Sequence, residues 1–224
     1  MMTLLLLAST LLLLHVKAAQ PTNPLCSIPS SGTTTLTSNT TCKLLTQVTI
    51  DRGSSLGVVG SDQTNPATIS GDYKTILFFL RGGNLTITDI VLAHGNSLQN
   101  GGAIVVEGGD NNIPSYASFV RLKIQFSRAS ESGGAISVDG GNGKKGKGNA
   151  TVSLIDSIIE FNSAGLNGGG IFVVGTGGGA LVSTTRTKFQ HNIVDNGDGG
   201  AVYVIGKFFF SFLSSLFLLL FFFL

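Results

Sequence analysis

Apolar and polar residues alternate along this chain over short stretches, and each stretch ends at glycine, asparagine, aspartate or serine. Period two over so short a span predicts strands, because a helix would set its apolar residues three and four apart. The alternation also repeats at longer range. Gly101-Gly102-Ala103-Ile104 recurs as Gly133-Gly134-Ala135-Ile136, Gly168-Gly169-Gly170-Ile171 and Gly199-Gly200-Ala201-Val202, at intervals of 32, 35 and 31 residues. Shortly before each quartet stands a small polar residue or glycine: Gly95, Ser127, Asn162 and Asn192. Three residues earlier comes an apolar anchor: Leu92, Ile124, Ile159 and Phe189. Two further columns precede the anchors, Ile87/Phe119/Leu154/Thr184 and Leu85/Ala117/Val152/Val182. After each glycine pair the alternation resumes, so Ile104, Ile136, Ile171 and Val202 point inward and Val105, Ser137, Phe172 and Tyr203 outward.

A unit whose positions match those of the next unit predicts stacking in register. Parallel strands then lie ~4.8 Å apart, and the inward Ile, Leu and Val columns fuse into one core along the axis. The architecture predicted is an all-β solenoid, a right-handed parallel β-helix. A sandwich would join unlike strands by hairpins, a propeller needs four strands per repeat, and a leucine-rich horseshoe needs its own Leu/Asn consensus. Residues 45–50, 56–60, 67–71 and 76–80 follow the same grammar with looser spacing. About two coils precede the first glycine quartet and three follow, with the opening strand of another. That makes about five coils over residues 45–206, with 19–44 as an N-terminal cap. In this phase Ile136 and Ile171 reject a charge, and Ser137 accepts one. Asp89, Arg121, Asp156 and Arg186, each three residues before an anchor, form a column of alternating sign.

The two ends differ from this body. Residues 1–18 carry a short apolar run and a small-residue site before Ala18, the layout of a secretory signal peptide. The segment 207–224 ends in an unbroken Phe/Leu/Ser run. Three readings of this tail stand side by side: intron read-through after Gly206-Lys207, a GPI-attachment signal using residues 196–200, and a membrane anchor. The whole chain has a net charge of +2, carried by Lys17 and Lys207 in these ends, so the body is neutral. A neutral body argues against nucleic acid and leaves membrane contact to the tail alone. Lys144, Lys145 and Lys147 lie among glycines and read as a solvated loop. Cys26 and Cys42 are expected to pair in an oxidising compartment. The sequons at Asn39, Asn84 and Asn149 are glycan acceptors if the secretory route is eukaryotic.

The paired signals Gly-Gly-Ala-Ile and Phe-x-x-Asn resemble the chlamydial polymorphic outer membrane protein repeat. Phe189-Gln190-His191-Asn192 carries the second signal in full, and Ile159-Glu160-Phe161-Asn162 carries it with Ile for Phe. Ile124-Gln125-Phe126-Ser127 and Leu92-Ala93-His94-Gly95 lack the Asn. The resemblance covers roughly residues 85–206. It implies an extended β-helical passenger used in adhesion, with glycans or cell-surface proteins as partners. Similar repeats occur in eukaryotic secreted proteins, the setting that the two ends favour.

Parallel β-helices also include pectin lyase-like enzymes, so a shortened carbohydrate-active chain is the alternative. Lyase chemistry needs clustered carboxylates for calcium and a basic residue, and hydrolase chemistry needs two or three carboxylates on neighbouring coils. The Asn-Thr-Asp, Asp-Asp and Gly-His-Gly signals of the polygalacturonases are absent. His94 and His191 fall at corners of different coils, and Asp195-Asn196-Gly197-Asp198-Gly199 coincides with a repeat corner, reading as a turn. The outward pair Phe172/Tyr203 suits either a stacked ladder or a sugar platform. The expectation is a secreted or cell-surface protein that is not an enzyme, with no catalytic residue, metal or cofactor.

Overall fold

Each short alternating stretch forms a strand, and the strands of successive coils pair side by side. The computed structural model describes residues 26–141, 148–175 and 179–206, and the regular structure in them is all strand. Residues 1–18 and 207–224, and the lysines at 144, 145 and 147, lie outside the described residues. One coil runs through Asn84–Thr88 on the first sheet, Ile90–Ala93 on the second, Asn96–Ser97 on a short third and Ile104–Glu107 on the fourth. The chain then returns to the first sheet at Ser115–Val120. The first, second and fourth sheets have six strands each and the third has four, all paired parallel and in register. The result is a right-handed parallel β-helix.

The registers are those of the sequence columns. Leu92, Ile124, Ile159 and Phe189 are stacked partners, as are Ile87, Phe119, Leu154 and Thr184. Ile104, Ile136, Ile171 and Val202 continue the fourth sheet. Leu92, Ile124 and Ile159 are fully buried. Burying each such side chain stabilises by roughly 1.5–3 kcal/mol.

Among the described residues the strands stack as six coils, where the sequence suggested about five. Gly32–Leu36 and Thr41–Lys43, placed in the cap by sequence, are strands of a first coil completed by Val48–Ile50. The cause is chemical. Gly32 and Thr34 pair with the inward Leu56 and Val58, so this coil fills apolar columns with residues that give no apolar signal. Cys42 takes the anchor position beside Ile69 and is disulfide-bonded to Cys26, with Cα atoms 5.2 Å apart.

The glycine quartets mark the corner into the fourth sheet. The first glycine of each pair is left-handed, with φ of 71° at Gly101 and 72° at Gly133. The second is held by close approach: a Cβ on Gly102 would sit 2.1 Å from the carbonyl oxygen of Gly134 in the next coil. These corners bring one correction. Ser137 points outward as expected, yet it is only 3% exposed, so it does not tolerate a charge freely. The alternation sets which way a residue faces, and the chain folding over that face decides whether water reaches it.

The polar residue after each anchor has a backbone role. Asn162 is fully buried. Its Oδ1 accepts the Ser127 N–H at 2.9 Å, and its Nδ2 donates to the Ile124 carbonyl at 3.1 Å and to Asn192 Oδ1 at 3.0 Å. Asn192 repeats the pattern one coil on, accepting the Asn162 N–H and donating to the Ile159 carbonyl.

Two outcomes follow for denaturation followed by circular dichroism. Ile136→Asp buries an unpaired charge and yields no folded protein, whereas Leu181→Asp, at a position 42% exposed, stays within about 0.5 kcal/mol of the parent. Asn162→Ala strands the Ser127 N–H and the Ile124 carbonyl, and destabilises by about 2–6 kcal/mol at ~1–3 kcal/mol per buried orphan.

Candidate functional site

Two corners of every central coil are turned by a single left-handed residue that is not glycine. The first corner holds Asp89, Arg121, Asp156 and Arg186, with φ between 48° and 58°. Stacking sets these side chains one strand spacing apart, and the alternating signs pair. Arg121 donates from Nε to Asp89 Oδ1 at 2.6 Å and from Nη2 to Oδ2 at 2.9 Å. Arg186 grips Asp156 in the same two-pronged manner, at 2.5 and 2.7 Å. The hydrogen bond from Arg186 holds the Asp156 carboxyl below the ordinary aspartate value of 3.8, and Arg121 adds to the effect from the other side.

The second corner holds His94, Phe126, Phe161 and His191, again with φ near 54°. With Tyr73 they form an aromatic ladder across five coils. Ring centroids are 4.8 Å apart for Tyr73 and His94, 5.8 Å for His94 and Phe126, 5.4 Å for Phe126 and Phe161, and 4.7 Å for Phe161 and His191. The last three pairs lie within 16° of parallel. Tyr73, Phe126 and Phe161 remain 51, 40 and 44% exposed. The sequence held a partial signal: His94, Phe126, Phe161 and His191 each stand two residues after an anchor, inside the tetrapeptides compared with the Phe-x-x-Asn signal, whereas Tyr73 lies outside that pattern. Beside it, burial pushes the Glu160 carboxyl up, but bonds from Lys123 and Gln190 hold it below its ordinary range.

The other sequence candidates separate. His94 and His191 join the aromatic ladder, with His94 Nδ1 3.3 Å from Ser70 Oγ. In the 195–199 segment, the Asp195 and Asn196 N–H groups bond to Ala164 and Gly165 carbonyls of the preceding coil, the pattern of a stacked corner. Phe172 and Tyr203 stack at 6.1 Å and 8°, the ladder arrangement. Asn39, Asn84 and Asn149 are exposed, and Asn149 Oδ1 accepts the Gly179 N–H. Among the described residues no three His, Cys, Asp or Glu side chains converge on a point that would hold a metal ion.

Against known proteins, the chain is 31% identical over 123 residues to the probable autotransporter YfaL of Escherichia coli strain K12, a match covering 50% of this chain and 10% of that protein. The chain thus spans about a tenth of the length of this curated relative. No family model matches, so the resemblance to the chlamydial repeat rests on the Gly-Gly-Ala-Ile and Phe-x-x-Asn residues themselves. No solved structure matches. The likeness to an autotransporter accords with a secreted or surface β-helix.

The charge ladder has a pH signature. Asp156 titrates lower in the folded chain than in the unfolded one, so its contribution is full above the ordinary aspartate range and is lost as pH falls through the depressed value. Thermal melts below pH 3.8 are expected to fall more steeply for the parent than for Asp156→Asn, and the difference shrinks in high salt.

Proposed function

We propose that this chain is a non-enzymatic β-helical repeat protein of the secreted or cell-surface kind, acting in adhesion. The observation that carries the reading is the exposed aromatic ladder. A contiguous apolar ridge on a soluble body marks an interaction surface. Here the ridge is fixed by the backbone of five stacked coils, so a partner meets it without ordering it first. The rings cover one another's faces and turn their edges outward. That suits apolar side chains of a cell-surface protein better than the flat face of a sugar. The 31% identity to a probable autotransporter supports the same reading. So does the resemblance to repeats used in adhesion. The neutral body gives nucleic acid no electrostatic purchase, and membrane contact falls to residues 207–224 where these are retained.

A carbohydrate-active reading draws on one observation: Glu107 and Asp139 are register partners on the outward side of the fourth sheet. Each is already engaged. Glu107 pairs with Arg81 at 3.2 Å, and Asp139 accepts the Gly141 N–H at 2.7 Å. Release of reducing ends from oligogalacturonide would replace the adhesion reading with this one.

Adhesion is tested with beads coated by the purified protein and washed over epithelial cell monolayers. The parent beads are retained, and protease treatment of the cells abolishes retention. The double variant Phe126→Ser, Phe161→Ser melts within a few degrees of the parent and loses at least about tenfold in retention, the loss of two partly exposed aromatic anchors. Failure of the parent beads to bind overturns the adhesion reading, and equal retention of the double variant removes the ridge from it.

A further inference from the structure

The outward side of the fourth sheet is unlike that of the first. Val105, Ser137 and Phe172 face away from the core, yet they are 7, 3 and 9% exposed. The left-handed glycine corners fold beside them. A Cβ on Gly101 would meet Val105 Cγ2 at 2.6 Å, and one on Gly133 would meet Phe172 Cβ at 3.2 Å. These corners raise one wall of a groove, formed by Gln99, Asn100, Glu131 and Ser132, while Glu107 and Asp139 border the other side. The groove has a volume of about 350 Å³ and runs along the axis, with Phe79 at one end of its floor and Phe172 towards the other. That volume falls within the roughly 300–1,000 Å³ of small-molecule sites.

Two hydroxyls face into the groove. Ser137 and Ser132 are 3 and 4% exposed and line the groove. Neither hydroxyl is sealed away as a buried orphan: both Oγ atoms face the groove and are open to a bonding partner that enters it. Of the three carboxylates, Glu107 is neutralised by Arg81 and Asp139 is held by the Gly141 N–H, which leaves Glu131 available. The free chemistry is therefore hydroxyls, amides and one carboxylate above an apolar floor with aromatic rings. A neutral sugar matches it with an edge of hydroxyls and a face of C–H groups, whereas uronates and sulfated chains meet three carboxylates. The strand spacing of ~4.8 Å also approximates the advance of one pyranose along a β-linked chain, so successive coils present equivalent groups to successive sugars.

We propose that this groove binds an uncharged β-linked oligosaccharide laid along the helix axis, with its C–H groups against a floor of Val105 and the ring edges of Phe79 and Phe172, and its hydroxyls on Ser132, Ser137 and Glu131. The groove and the aromatic ridge occupy different faces, so each is tested without the other.

The experiment is calorimetric titration of the full chain with cellohexaose, chitohexaose, laminarihexaose, hexagalacturonate and hexalysine. At least one uncharged hexasaccharide binds with saturation, and hexagalacturonate does not. Ser137→Ala weakens that binding by roughly two- to tenfold, the value of one hydrogen bond. Ser137→Phe, which fills the floor, abolishes it. Glu131→Gln, at an exposed position that leaves folding intact, weakens it comparably and serves where the Phe variant does not fold. Absence of binding by all three uncharged hexasaccharides overturns the proposal. So does unchanged affinity in folded Ser137→Phe or Glu131→Gln, or a groove that takes hexalysine in their place. None of these results bears on bead adhesion, which is read on Phe126 and Phe161.

Discussion

A parallel coil cannot close its own backbone hydrogen bonds. The N–H and C=O groups of each strand reach across to the neighbouring coils, so the coils must align residue on residue. Every position is then its own neighbour at one strand spacing, and whatever a residue does is multiplied along the column. An apolar residue meets its like, as in Leu92, Ile124 and Ile159, and the core grows by repetition. A charge also meets its own column, where like signs would repel on each step. Alternation of Asp89, Arg121, Asp156 and Arg186 turns that repulsion into a run of pairs. A slip by one coil would set Asp on Asp, so the column opposes misregister even though each exposed pair contributes little.

The corners carry the cost of this arrangement. A left-handed conformation disfavours any residue with a Cβ by about 1–2 kcal/mol, yet each central coil places two such residues there. Past each corner the backbone N–H no longer lies on a ladder and needs a partner. At one corner that partner is Ser127, Asn162 or Asn192 of the following coil. At the other it is Ser157, whose hydroxyl accepts the Leu122 N–H at 3.2 Å. The Asn of the repeat signal is thus a backbone acceptor from the next coil, and Ser substitutes where only the N–H must be satisfied. Stacking of the corner rings offsets part of the strain at Phe126 and Phe161.

Columns that repeat one chemistry were readable from sequence: the anchors, the glycine pairs, the inward strands of the fourth sheet and the signs of the charge ladder. Columns that change chemistry were not. The aromatic ladder passes from Tyr73 through His94 to Phe126, so its common property is a flat ring and no single residue type. The first coil hid behind Gly32 and Thr34 for the same reason. The groove was illegible for a different one. Period two distinguishes Ser137 from Ile136 by direction, but the shelter over Ser137 comes from corners at Gly101 and Gly133, and their approach is a property of the folded chain.

Stability in such a stack is a sum over coils and the interfaces between them, so it is not uniform along the axis. The anchor and fourth-sheet positions Ile159, Ile171 and Val173 are 0, 0 and 2% exposed, while their partners in the last described coil, Phe189, Val202 and Val204, are only partly buried. Thr184 takes the place that Leu154 fills one coil earlier. Val105, Ser137 and Phe172 belong to the three coils before the last described one, and so do His94, Phe126 and Phe161. Both surfaces are thus centred where coils have well-packed neighbours on each side, and the positions of their side chains are set by the core beneath them. Rigidity there reduces the entropy lost on binding, so a modest set of hydroxyls and ring edges gains in affinity what a mobile loop would forfeit.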